Sequence, residues 1–248
     1  MTYSESHCHI NGILDEYVLK ANRLGFDLVL QAGIDLISSE AALKNAQKYK
    51  LIKSCIGIHP WYADDYTADV NCIFKNLASN KEVVAVSEIG LDFTGRMTKE
   101  WVRSEKFIDK DIQRDAFQNQ ISLAKDLNLP IIVHDNSNNN EVLEIIEEME
   151  AHKNGAAIHG FTRDLDYVNT CKKLQIYISV GRRILNNPTN EFIEAVKAIP
   201  DNLLLTETDG GNPDNLLLVC EAIGKIKGKP KEIIGELATK NLKTLIRL

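Results

Sequence analysis

No run of about 18 consecutive apolar residues occurs in this 248-residue chain, so no segment reads as a membrane-spanning helix. The first nine residues lack the basic and apolar regions of a secretory signal, and the expectation is a soluble, cytoplasmic protein without a membrane partner. Basic charge is not in excess. Lys and Arg number 29 against 35 Asp and Glu, a formal net charge of −6, which argues against binding duplex nucleic acid by broad backbone neutralisation. Cysteines are few and unpatterned: Cys8, Cys55, Cys72, Cys171 and Cys220 are odd in number, widely spaced and form no C-x-x-C pair. A disulfide framework and a zinc ribbon are therefore not suggested, and buried free thiols are the simplest state. There is no low-complexity segment beyond the short Asn-rich run at 136–140, read as a cap for the fifth helix.

What is present is an ordinary globular composition, 44% apolar and 26% charged, in a length that matches one eight-stranded α/β barrel. Short apolar runs recur, each followed by a turn and a segment of helical period, the pattern of repeated β-α units. Strands are expected at 3–9, 27–32, 53–58, 83–88, 130–134, 156–159, 176–180 and 203–207. Helices are expected at 13–24, 39–49, 68–78, 109–127, 138–152, 165–173, 190–198 and from 231 onward, with an extra one at 215–226. Eight such units can close one barrel or split into two doubly wound halves. The placement of polar residues favours a single (β/α)8 TIM barrel over residues 1–248.

In such a barrel the active site is built at the C-terminal ends of the strands. Here those ends carry His7 and His9, His59, Glu88, His134, His159 and Asp209; of the six histidines only His152 lies elsewhere. The period of two along a strand turns His7 and His9 to one face and Cys8 away. An isolated His-x-His pair reads most simply as part of a polar surface. Imidazoles and carboxylates falling at one end of successive strands instead read as a metal site. The longest connection, 92–108, carries Arg96, Lys99, Arg103 and Lys106 with Phe93 and Trp101, and its length on that rim reads equally as a binding segment or as a solvated loop.

The segments Ser6-His7-Cys8-His9, Gly57-Ile58-His59-Pro60-Trp61, Ser87-Glu88-Ile89-Gly90-Leu91-Asp92, Leu129-Pro130-Ile131-Ile132-Val133-His134, Ile158-His159-Gly160-Phe161 and Leu205-Thr206-Glu207-Thr208-Asp209, in this order, resemble the TatD family of metal-dependent deoxyribonucleases over essentially the whole chain. The resemblance implies two divalent ions (Mg2+, Mn2+ or Zn2+), with His7, His9 and Asp209 on one, His134 and His159 on the other, and Glu88 bridging. Two such ions can activate water and stabilise both oxygens of an in-line phosphoryl displacement. Glu88 and Asp209 are the catalytic candidates, Asp209 as the proton acceptor. His59, Trp61, Arg163 and Glu207 are the expected substrate-binding residues: an aromatic can stack on an unpaired base, and an arginine can contact phosphate. Glu207 reads equally as an internal strand-end hydrogen bond, Trp61 equally as a packing residue and Phe161 as packing, while Arg182 and Arg183 are further phosphate candidates, at least one of them equally a solvated surface residue.

The sequence departs from the family pattern at Glu5, where Asp is usual, at Asn136, where Arg is common, and after Asp209, where Gly210-Gly211-Asn212-Pro213 replaces a longer loop. These departures spare the expected ligands and leave substrate choice open. The expected activity is 3′-5′ exonuclease action on single-stranded DNA or DNA ends by a monomer, with protein partners in a bacterial defence operon or a repair context as a further expectation. An amidohydrolase or aminoacyl-tRNA deacylase, and a non-catalytic complex subunit, are the alternatives.

Overall fold

The computed structural model describes residues 2–10, 12–94, 108–137 and 139–248. Eight strands, β1 (Tyr3–Cys8), β2 (Phe26–Ala32), β3 (Ile52–Ile56), β4 (Val83–Asp92), β5 (Ile131–Asn136), β6 (Ala156–Ile158), β7 (Tyr177–Val180) and β8 (Leu204–Thr206), pair in parallel in sequence order. Among the described residues nine α-helices lie between and after them: α1 (Leu14–Arg23), α2 (Leu36–Lys48), α3 (Ala68–Leu77), α4 (Lys110–Asp126), α5 (Glu141–Glu148), α6 (Leu165–Leu174), α7 (Asn190–Ala198), α8 (Asp214–Lys227) and α9 (Lys231–Leu245). Strand eight meets strand one through Thr206 Oγ1 donating to Ser4 O (3.1 Å) and Asp209 N donating to His7 O (3.1 Å). The architecture is a single (β/α)8 barrel, the expected fold.

The sequence signals that build the units are local. Helix starts at Asp35, Thr67, Asp109, Asp164 and Thr189 each have a side-chain oxygen accepting a backbone N–H of the first turn. Each such cap is worth about 1 kcal/mol. Inward stripes at helical spacing, such as Phe117 and Ile121 of α4, are completely buried. Burying one such side chain contributes roughly 1.5 to 3 kcal/mol. Inside the barrel, Ser6 Oγ and Ser179 Oγ lie 2.6 Å apart, linking β1 and β7, which are not neighbours in the sheet.

Element bounds shift in places that matter. β4 runs four residues beyond the expected end at 88, so Glu88 sits inside the strand with Gly90 opposite His134 and Asp92 opposite Asn136. Capping moves the start of α2 ahead of 39: Asp35 and Ser38 form a reciprocal capping box. α5 is shorter than 138–152, and its first turn is capped by Asn139 Oδ1, which accepts Glu141 N at 3.2 Å. The basic residues Arg96, Lys99, Arg103 and Lys106, with Trp101, lie outside the described residues. No helix among the described residues is long and apolar enough to cross a membrane.

Candidate metal centre

β1 delivers His7, buried within the strand, and His9 just past its end, half-buried. Their Nε2 atoms converge to 3.3 Å, with rings edge to face. Glu88 Oε2 lies 3.2 Å from His7 Nε2 and 3.3 Å from His9 Nε2, and Asp209 Oδ1 lies 3.8 and 3.5 Å from the same two nitrogens. Asp209 reaches this position from beyond β8 with a left-handed backbone, φ +48°.

The other oxygen of Glu88 faces a second pair. Oε1 is 3.2 Å from His134 Nδ1 at the middle of β5 and 2.9 Å from His159 Nε2 just after β6, and those two nitrogens are 3.2 Å apart. Ligands held about 2.0 to 2.2 Å from one ion at roughly tetrahedral to octahedral angles stand about 3 to 3.6 Å from each other, and the spacings in the two groups, 2.9 to 3.8 Å, are close to this. A second observation supports the fit. Glu88 Oε2 is buried beside two imidazole nitrogens and accepts no hydrogen bond from the described residues, an arrangement that suits a shared cation better than N–H donation. The donor set of neutral imidazole and carboxylate fits a divalent ion in each group.

Charges in the cluster reinforce this reading. Burial opposes ionisation of Glu88, but His159, His7 and His59 and a hydrogen bond from His134 outweigh it and hold the carboxyl well below its ordinary range. Asp209 is likewise opposed by burial but held at about 2 by His9, His7 and His159. Burial also works against protonation of His9 and His134, yet Asp209 and Glu88 raise His9 to about 10, and Asp92 and Glu88 raise His134 to about 9. The carboxylates thus attract positive charge to this point, and protons occupy His9 and His134 when no metal does.

His59 plays a different part. Its Nδ1 accepts the backbone N–H of Trp61 at 3.1 Å, and burial, with His134 nearby, depresses its pKa to about 3. A neutral ring with an occupied Nδ1 carries its proton on Nε2. That atom lies 3.5 Å from Glu88 Oε1, so His59 presents a donor to the cluster. Trp61, in the short helical turn Pro60–Asp65, donates its indole N–H to Asp92 Oδ2 at 3.0 Å.

The other expected substrate residues spread out. Glu207 is buried just after β8; its Oε1 accepts Gly160 N at 2.6 Å and lies 3.7 Å from His159 Nδ1. The Arg163 guanidinium donates to Ser137 O at 2.5 Å and to Asn139 O, and lies over the Tyr167 ring. Phe161 is buried against Phe192 and Tyr167. Arg182 and Arg183 instead line a cleft of about 570 Å³ beside Asp209, with Thr162, Asn186 and Asn215. Glu5 is fully buried, and its Oε1 accepts Thr208 N at 2.6 Å, tying β1 to the segment that carries Asp209. Burial pushes its carboxyl well above the ordinary range.

Residues 5–247 match the family described as TatD related DNase. The chain is 31% identical to an uncharacterised metal-dependent hydrolase, YabD, of Bacillus subtilis, over 98% of each chain. It is 26% identical to the 3′-5′ ssDNA/RNA exonuclease TatD of Shigella flexneri, over 93% of this chain and 92% of that one. The crystal structure of a TatD homologue, YJJV, from Escherichia coli superposes with a TM-score of 0.86 at 21% identity, covering 99% of this chain and 98% of that one.

Proposed function

From the premise that this chain belongs to the TatD-related DNase family and is a metal-dependent hydrolase, we propose that it removes nucleotides from the 3′ ends of single-stranded DNA with two divalent ions. The observation that carries this reading is the position of Glu88, each of whose oxygens faces its own pair of imidazoles. His7, His9 and Asp209 would hold one ion, His134 and His159 the other, and Glu88 both. When bound, Mg2+, Mn2+ or Zn2+ supplies Lewis-acid polarisation of a phosphoryl oxygen and acidifies water.

The chain's own groups supply the rest. Asp209, with one oxygen toward His7 and His9, has its second oxygen available to accept the proton of the attacking water. His59 Nε2–H donates a hydrogen bond to a phosphate oxygen, a fixed donor that costs no reorganisation during reaction. The cleft beside Asp209 is of a size for one nucleotide, and Arg182 and Arg183 on its wall offer guanidinium donors to the next phosphate. Trp61 at the rim offers a face for an unpaired base.

Single strands labelled at the 5′ or the 3′ end, incubated with Mg2+ or Mn2+, test the reading. The 3′-labelled strand is expected to lose its label at once and the 5′-labelled strand to shorten in single-nucleotide steps, with EDTA stopping both. Loaded enzyme that leaves DNA intact while turning over a small ester or amide would overturn it.

The charges predict a pH signature for the metal-free protein. His9 and His134, raised to about 10 and about 9 from an unfolded value near 6.5, add stability that is complete below 6.5 and is lost as pH climbs through 9 and 10. His59, lowered to about 3, acts the other way, and its contribution falls as pH drops below 6.5. In EDTA the cluster's contribution therefore peaks near pH 6.5. Metal affinity rises over the alkaline arm, because an ion must displace those protons. Scanning calorimetry with EDTA and with excess Mg2+ between pH 6 and 10 checks this: the two melting temperatures should diverge as pH rises, and converging curves would refute it.

A further inference from the structure

We propose that Asp92 is the positioning residue of His134: it holds that imidazole with Nε2 protonated and Nδ1 turned toward Glu88 and His159, and so sets the metal affinity of that half of the site. The inference rests on the metal-centre reading above and adds to it a residue outside the ligand set.

Asp92 ends β4, two alternations beyond Glu88 along the strand, and is 1% exposed. Its Oδ2 lies 3.1 Å from His134 Nε2, 3.0 Å from Trp61 Nε1 and 3.2 Å from Asn136 Nδ2. Its Oδ1 accepts Thr94 N at 3.1 Å and Thr94 Oγ1 at 2.9 Å. The backbone is clamped as well: Gln113 Oε1 accepts Asp92 N at 2.8 Å, and Gln113 Nε2 donates to Asp92 O at 3.1 Å. A carboxylate with this many anchors has almost no freedom to turn.

The donors decide what the carboxylate does. Ligand atoms of His59, Asp92 and His134 lie close enough to share an ion. An indole N–H and an amide N–H can only donate, however, and both point at Oδ2, where a cation would meet positive hydrogens. His59 carries its own proton on Nε2, because its Nδ1 is taken by Trp61 N. Asp92 is therefore an acceptor beside the centre and not a ligand of a third ion. The His134 nitrogen that faces it is the protonated one, leaving the Nδ1 lone pair for the metal. Such a carboxylate orients a ligating imidazole and strengthens it as a donor, and its loss typically costs ~10- to 100-fold in metal affinity. The carboxylate facing His159 stands farther off: Glu207 Oε1 is 3.7 Å from His159 Nδ1, against 3.1 Å between Asp92 Oδ2 and His134 Nε2.

In Asp92→Asn only one side-chain oxygen remains for the converging donors. An amide N–H turned to His134 Nε2 favours the tautomer protonated on Nδ1, which blocks the metal-facing lone pair. Zinc titration by calorimetry is expected to show two sites in the wild type, and in Asp92→Asn one of them weakened ~10- to 100-fold with the other retained. Asn136→Ala, which removes a different donor to the same oxygen, should leave both affinities as they are. Nitrogen NMR of histidine-labelled, zinc-loaded wild type needs no variant: His134 should show zinc on Nδ1 and a slowly exchanging proton on Nε2. Zinc on Nε2, or two unweakened sites in a folded Asp92→Asn, overturns the inference. Wild type that binds no divalent ion overturns the metal centre itself.

Discussion

Glu88→Gln is expected to lower the rate of DNA hydrolysis at saturating metal by at least about 10³-fold, roughly 4 kcal/mol of barrier, in a protein that still folds. The amide has nearly the shape of the carboxylate, so strand β4 keeps its packing. The electrostatics change completely. One metal-facing oxygen becomes an NH2 group aimed at a pair of imidazoles, and the negative charge that both groups share disappears. The two oxygens of Glu88 stand within 3.3 Å of four different histidine nitrogens, so the proposed bridging role falls to this side chain among the described residues. Metal content after dialysis should fall from two equivalents per chain to one or none. The same change lowers the proton affinity of His9, His134 and His159, since Glu88 is one of the groups raising each of them. Single-turnover cleavage and elemental analysis on one preparation check the two halves together. A variant that keeps both equivalents and a rate within tenfold of wild type would remove Glu88 from the centre of the chemistry.

The histidines were legible because barrel topology converts strand order into a ring, and polar residues after apolar runs mark its upper rim. His7 and His9 needed only the period of two. The extent of β4 was not legible by the same rule. A carboxylate with glycine two residues on looks like the end of a strand, yet all ten residues from Val83 to Asp92 are buried. Ending the strand at Glu88 put Asp92 in the loop, although the signal was available: 88, 90 and 92 are successive residues of one face once the strand is allowed to continue. Arg163 illustrates a different limit. Its place after the sixth strand suggests phosphate contact, but its hydrogen bonds go to the carbonyls of Ser137 and Asn139. Local contacts fix those carbonyls: Asp135 Oδ1 accepts both Ser137 N and Ser137 Oγ, and Ser137 Oγ lies 3.1 Å from Asn139 O. A linear reading cannot foresee which backbone oxygens a neighbouring loop will present.

Gly90→Ala is expected to be the most damaging substitution that replaces no ligand. Gly90 pairs with His134 across β4 and β5 at a backbone φ of +140°, a region that residues with a Cβ rarely adopt. A Cβ placed there would lie 2.0 Å from His134 O and 3.0 Å from a Val133 methyl carbon. The first contact is with backbone, so no rotamer change relieves it; the strands must separate or β4 must change its path. Strain at such a φ costs on the order of 1 to 3 kcal/mol, before the cost of moving a packed strand. The damage would not stay in the core, because β4 holds Glu88 on one side of Gly90 and Asp92 on the other, and β5 holds His134 between them. A shift of half an ångström between the strands detunes both contacts of that imidazole at once. Urea denaturation should show a loss of about 3 kcal/mol or more, and zinc titration should show the His134 half of the site weakened more than the His7 half. Equal weakening of the two halves would mean that the strain spreads through the barrel as a whole, and full stability would mean that β4 has another path past His134.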